Sequence, residues 1–138
     1  MAHEKFRVEV LTPEGEVFND EVEMVSTKTA VGSIGVLAHH QPVLAMLDPT
    51  ELRLYKTDSE CIRFAQAEGY LQVAENRALI LVEEAQAPSD LDASSLRERL
   101  QQAEREIDSA GDDTEKKRVA ERDKTRLETF LAIAEGGS

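Results

Sequence analysis

The chain has 138 residues, 41% hydrophobic and 32% charged, which gives room for one ordinary core or a small domain with an appendage and excludes a large multidomain enzyme. Its formal charge of −12, from 28 acidic and 16 basic side chains, repels nucleic acid and anionic lipid, because phosphate binding needs a basic footprint. No stretch approaches the ~20 apolar residues of a spanning helix, and the polar opening Met1-Ala2-His3-Glu4-Lys5 does not read as a signal peptide. A cytoplasmic protein is the expectation. Cys61 stands alone, so no intrachain disulfide forms and a buried structural thiol is expected.

In chain order, Phe6-Arg7-Val8-Glu9-Val10-Leu11 alternates apolar and polar side chains, which predicts a half-buried strand. Thr12-Pro13-Glu14-Gly15-Glu16 carries turn chemistry, and Val17-Phe18 opens a second apolar run. Further strands are expected over Glu21–Thr27, Ile34–Leu37, Glu51–Tyr55, Cys61–Ala65, Gly69–Ala74 and Ala78–Val82, with Glu75-Asn76-Arg77 as the turn between the last two. Short strands with close turns and no intervening helix predict an all-β antiparallel sandwich or barrel over residues 1–87.

The pattern changes at Ala87-Pro88-Ser89-Asp90, where proline ends the extended segment and Ser89 or Asp90 can cap a helix. Leu96, Leu100, Ala103 and Ile107 then recur at steps of three and four on one helical face. Ser109–Thr114 is a break with Gly111 as C-terminal cap and Asp113 or Thr114 as the next N-cap. A second helix runs to about Ala134 with the stripe Val119, Ala120, Leu127, Leu131 and Ala134, interrupted by Asp123. Residues 88–138 therefore read as an antiparallel helical hairpin. Its alanine-rich seam buries little area, so its docking is expected to be marginal and the element mobile.

Chemistry finds little purchase. His39 and His40 are adjacent, and neighbouring side chains on an extended chain point to opposite sides, so the pair is a poor grip for one metal ion. Gly32-Ser33-Ile34-Gly35 lacks the glycine spacing, the Lys-Ser/Thr and the helix start of a phosphate loop. Glycines there mark a tight turn or a close approach to the backbone by another molecule. Glu83-Glu84 and Asp112-Asp113 read as solvated surface. There is no nucleophile–base spacing and no CxxC. No catalytic residue, metal site or cofactor is expected. Arg118, Arg122 and Arg126, spaced by four, form a ridge on the second helix; it is either a solvated face or a dock for an acidic protein surface.

Three blocks, taken together, resemble the epsilon-subunit family of F-type ATP synthases. Gly32-Ser33-Ile34-Gly35-Val36-Leu37-Ala38-His39-His40-Gln41-Pro42-Val43-Leu44 is similar to the family's glycine-rich turn and His-x-Pro-hydrophobic stretch. Glu68-Gly69-Tyr70-Leu71-Gln72-Val73-Ala74-Glu75-Asn76 is similar to Gly-Gly-aromatic-x-Glu-Val-x-x-Asn, with Glu68 and Gln72 as departures. Asp90-Leu91-Asp92 opens the hairpin. The resemblance spans essentially the whole chain in order.

It implies a non-catalytic rotor subunit whose sandwich grips the gamma subunit and rests on the c-ring, and whose hairpin inhibits ATP hydrolysis at the alpha/beta catalytic head. By resemblance, Gly32, Ser33, Ile34 and Gly35 face the c-ring; His39, His40 and Pro42 lie near gamma; Arg118, Arg122 and Arg126 meet an acidic β-subunit surface. Some bacterial relatives bind ATP through Leu/Ile-Asp-x-x-Arg-Ala. Here Leu91-Asp92 match, but Ser95-Leu96 replace Arg-Ala, so nucleotide binding through Asp92 is expected to be weak or absent. The implied location is the cytoplasmic face of a bacterial inner membrane, reached only through the complex, with a plastid thylakoid surface as the alternative. A free-standing β-sandwich adaptor with a helical tail shares the fold but gives no reason for three ordered blocks. A small enzyme lacks convergent polar groups.

Overall fold

In the computed structural model, which describes residues 3–136, the chain divides into two compact units, Met1–Ala87 and Pro88–Ser138. Part of the polar opening, Met1-Ala2, lies outside the described residues. The first unit carries ten strands: β1 Phe6–Thr12, β2 Gly15–Val22, β3 Met24–Thr29, β4 Gly32–Leu37, β5 Val43–Leu47, β6 Thr50–Tyr55, β7 Cys61–Gln66, β8 Gly69–Ala74, β9 Arg77–Val82 and β10 Ala85–Gln86. One layer runs β4-β3-β6-β7-β10 and the other β5-β8-β9-β1-β2, and they join where Thr29 of β3 pairs with Leu47 of β5. The sandwich with a following pair of helices is the expected fold class. Among the described residues one pairing, β1 with β9, is parallel; it closes the layer between the first strand and the last long one, and the intervening chain passes through the other layer.

Alternation sets the core. Val8 and Val10 of β1, Leu71 and Val73 of β8 and Ile80 of β9 pack against Val25, Val36, Leu52 and Leu54 of the other layer, all at most 2% exposed. Burying each such side chain is worth roughly 1.5–3 kcal/mol. Gln66 is also fully buried and its amide is satisfied: Thr27 Oγ1 donates to Oε1 at 2.6 Å, and Nε2 donates to the Asp48 and Ala67 carbonyls at 3.0 and 3.1 Å. A satisfied buried amide specifies the layer contact instead of weakening it.

The expected strand over Glu21–Thr27 is two strands, because Glu23 is a corner. Its N–H donates to the Tyr55 carbonyl at 2.7 Å as the chain passes from one layer to the other. Across that corner Lys56 Nζ stands 2.6 Å from Asp20 Oδ2. The ammonium, followed by the Glu21 amide, holds the Asp20 carboxyl below its ordinary range, and Asp20 in turn raises the lysine. Two strands, β5 and β10, were not expected. Cys61 is exposed at the start of β7, not buried, because it falls on the outward side of the pleat.

In the second unit a single 3-10 turn over Pro88–Asp90 precedes α1, Ala93–Ser109, and α2, Thr114–Ala134. Ser89 and Asp90 lie within that turn, so the N-cap is Asp92, whose carboxylate accepts from the Ser94 and Ser95 amides. Gly111, φ 58°, follows the end of α1, and Asp113 caps α2 by accepting from the Lys116 amide at 3.0 Å. Arg97 Nη2 meets Glu135 Oε2 at 2.6 Å, tying the start of α1 to the end of α2. The seam buries Leu96 and Ala103 from α1 and Ala120, Leu127, Phe130 and Ile133 from α2. Phe130 and Ile133, not Leu131 and Ala134, form the buried end of the α2 stripe; the latter two are half-buried. Among the described residues no helix is long and apolar enough to cross a membrane.

Candidate docking surface

The outer face of the β5-β8-β9-β1 layer is where the alternation rule breaks. Register places Met46 opposite Tyr70, Tyr70 opposite Leu81 and Leu81 opposite Leu11. Directly paired residues share a face, so these four form one row across four strands. Met46 is 62% exposed, Tyr70 52% and Leu81 43%, and Leu44, one step along β5 on the same face, is 73% exposed. A groove of about 310 Å³ runs beside the row, lined by Leu11, Pro13, Tyr70 and Leu81. The next row on that face, Leu44, Gln72, Leu79 and Glu9, mixes apolar and polar side chains. Scattered exposed apolar residues are ordinary; a contiguous row on one flat face marks a contact surface.

The glycine-rich segment stands beside the Met46 end of this row. Thr29 pairs with Gly32 across the two-residue turn Ala30-Val31, and the Ala30 amide donates to the Met46 carbonyl at 3.0 Å. The Thr29 hydroxyl donates to the Gly32 carbonyl at 2.8 Å and accepts from the Val31 amide at 3.2 Å. Gly32 has φ 138°, a conformation that needs glycine. Val31 at the tip is 97% exposed. Ser33 and Gly35 are exposed, whereas Ile34 is half-buried and packs on the sandwich core. Among the described residues, its two chain neighbours aside, nothing lies within 4 Å of a Cβ built on Gly35.

His39, His40 and Pro42 lie past the far end of β4, roughly 20 Å away at the rise of an extended chain. His39 Nε2 is 2.9 Å from Glu4 Oε2, and His40 Nδ1 is 2.7 Å from the Gln41 carbonyl oxygen. The two imidazoles are thus engaged by separate partners. Pro42 is exposed. The structure therefore splits the sandwich candidates into two groups at opposite ends, and the apolar row, which sequence reasoning missed, extends from the glycine end.

On α2, Arg118 Nη2 lies 2.6 Å from Glu115 Oε1 on its own helix, and Arg122 Nη2 lies 3.8 Å from Asp123. Both arginines are exposed. Arg126 does not continue the ridge. It is half-buried and lines, with Arg99, Gln102, Glu106 and Asp123, a groove of about 300 Å³ between the helices, where burial lowers its affinity for the proton. Asp92 serves as a helix cap. No group of three or more His, Cys, Asp or Glu side chains among the described residues is arranged to hold a metal ion.

Comparison with known proteins gives the family. Residues 5–88 match the family described as "ATP synthase, Delta/Epsilon chain, beta-sandwich domain". The ATP synthase epsilon chain of Sulfurihydrogenibium sp. is 30% identical over 94% of this chain and 96% of its own length. The ATP synthase epsilon chain of Halalkalibacterium halodurans is 37% identical over 75% of this chain and 77% of its own. A chain in the cryo-EM structure of the Euglena gracilis mitochondrial ATP synthase, OSCP/F1/c-ring, shares the fold with a TM-score of 0.75 at 19% identity, covering 96% of this chain and 81% of that one. A sandwich match over most of the first unit, together with relatives aligned across both units, leaves one conclusion: this chain belongs to the ATP synthase delta/epsilon chain family.

Proposed function

We propose that the chain is the non-catalytic epsilon subunit in the central stalk of an F-type ATP synthase, joining c-ring rotation to the gamma subunit. The observation that carries this is the row Met46–Tyr70–Leu81–Leu11, an exposed apolar band on a rigid sheet face in a chain that is otherwise strongly acidic. A shaft that must transmit torque needs a stiff partner, and a paired sheet supplies one while its apolar band supplies affinity. Gamma sits on this band and reaches His39, His40 and Pro42 at the far end. The c-ring meets the β3–β4 turn, where Val31, Gly32, Ser33 and Gly35 present open backbone and one apolar tip. The chain works in a membrane-peripheral complex, and the face it occupies is the cytoplasmic side of a bacterial inner membrane. Its hairpin restrains ATP hydrolysis at the alpha/beta head through the exposed Arg118 and Arg122.

The test is binding to purified gamma. The full chain is expected to bind one-to-one, and Met46→Glu combined with Tyr70→Ala is expected to weaken binding by about 30-fold or more, as loss of a central aromatic anchor does. A variant that binds gamma as tightly as the parent removes the row from the interface.

A further inference from the structure

Among the described residues three that are not glycine hold a left-handed backbone: His39 at φ 63°, Glu75 at 51° and Asn76 at 61°. All three meet at one end of the sandwich. Glu75 and Asn76 are the two loop residues between Ala74 and Arg77, which pair as the last rung of β8 and β9, so a positive φ at both is what a tight hairpin requires. His39 is a different case. It is the third residue of the turn Leu37–His40, closed by the His40 amide donating to the Leu37 carbonyl at 3.2 Å. That position favours glycine, and a side chain there is strained unless its surroundings hold it.

Two contacts hold it. The ring reaches Glu4, but both side chains in that pair are 65% exposed, so water and salt weaken the contact. The backbone N–H of His39 donates to Asn76 Oδ1 at 2.7 Å, bridging 37 residues of sequence. Asn76 thereby does two separate things with two separate parts. Its backbone makes the hairpin turn, which glycine does equally well; its carboxamide holds the loop, which glycine cannot do.

We propose that Asn76 is a positioning residue that latches the His39–Pro42 loop in the shape that meets the gamma subunit. The proposal rests on the rotor reading above and deepens it. Strands β8 and β9 carry Tyr70 and Leu81 of the apolar row towards one end and the Asn76 turn at the other. The latch makes the loop part of the same rigid ladder, so that both contact points present themselves to one shaft without a separate ordering cost on binding.

The test uses the full chain with two substitutions and two readouts. Asn76→Gly keeps the turn conformation and removes the acceptor; Asn76→Asp keeps an acceptor oxygen on a residue that also tolerates this backbone. Asn76→Gly is expected to unfold at nearly the parent temperature, to speed hydrogen exchange at the His39 amide by about tenfold, and to weaken gamma binding by about tenfold, the scale of one hydrogen bond. Asn76→Asp is expected to restore both. Unchanged exchange at His39 in Asn76→Gly overturns the latch, and so does parent-like gamma affinity once that exchange has accelerated. A parent chain that does not bind gamma at all overturns the rotor reading and the purpose of the latch with it.

Discussion

Gly69 sits where β8 pairs with β9, and a Cβ built on it would stand 2.0 Å from the Leu81 carbonyl oxygen and 2.7 Å from the Val82 Cα. Backbone cannot retreat as a flexible side chain can. Gly69→Ala is therefore expected to destabilise the sandwich by on the order of 3 kcal/mol, read from the shift in a chemical denaturation midpoint. Gly35→Ala meets nothing within 4 Å and is expected to stay within about 0.5 kcal/mol of the parent. The sequence singled out Gly32 and Gly35 for a tight turn or approach by another molecule, and the angle at Gly32 is that of a turn; the steric demand within the chain, among the described residues, is at Gly69. A glycine letter reports permission, not its reason, and only the packed register tells a steric demand from a dihedral one. Arg126 leaves the exposed side of the expected ridge for a geometric reason. Steps of four residues overshoot the helical turn by about 40° each, so two steps from Arg118 carry Arg126 some way around the helix and into the groove between α1 and α2.

At the level of elements, alternation revealed strands wherever one face meets the core and the other meets water. It failed at β5. Val43-Leu44-Ala45-Met46-Leu47 is apolar on both faces, since Leu47 is buried while Leu44 and Met46 stand in solvent. The exposed apolar row was therefore hidden from an alternation test by being apolar on its outer side as well. The last turns of α2 show the same ambiguity, because Phe130-Leu131-Ala132-Ile133-Ala134 offers apolar residues on every side and periodicity cannot choose among them. The expected cap, Ser89 or Asp90, fell two or three residues short of the true one, Asp92, because a 3-10 turn intervenes; the geometry of Asp92 bears on nucleotide binding. Its Oδ1 accepts from the Ser94 and Ser95 amides at 3.0 and 3.4 Å, Ser95 offers no cation, and Leu96 is buried in the helical seam. Millimolar ATP is accordingly expected to leave the melting temperature of the isolated chain unchanged to within about 1 °C, since a ligand that does not bind the folded state cannot raise it. A rise of several degrees in a thermal-shift titration contradicts this.

At the scale of the whole molecule, the chain divides between Ala87 and Pro88, and each unit has its own buried set. The two sets differ in quality. The sandwich closes over mostly branched aliphatic side chains at most 4% exposed, whereas the hairpin seam is filled in part by Ala103 and Ala120 and admits the half-buried Asp123 and Arg126. Alanine buries little, so the hairpin is expected to hold its folded form by a smaller margin than the sandwich does. A tight head and a thinner helical seam fit the reading proposed above, in which the sandwich stays on the rotor and the hairpin is the part that moves. A synthase assembled with residues 1–87 alone is expected to retain the subunit on gamma and to hydrolyse ATP about fivefold faster or more, the low end of coupling between distant sites. Steady-state hydrolysis by the purified complex checks this. Replacing Arg118 and Arg122 together by alanine in the full chain is expected to reproduce most of the acceleration, because those two guanidiniums face outward and can reach an acidic partner surface. Hydrolysis no faster in the truncated complex than in the parent removes the brake from the hairpin and leaves the sandwich as the part that acts.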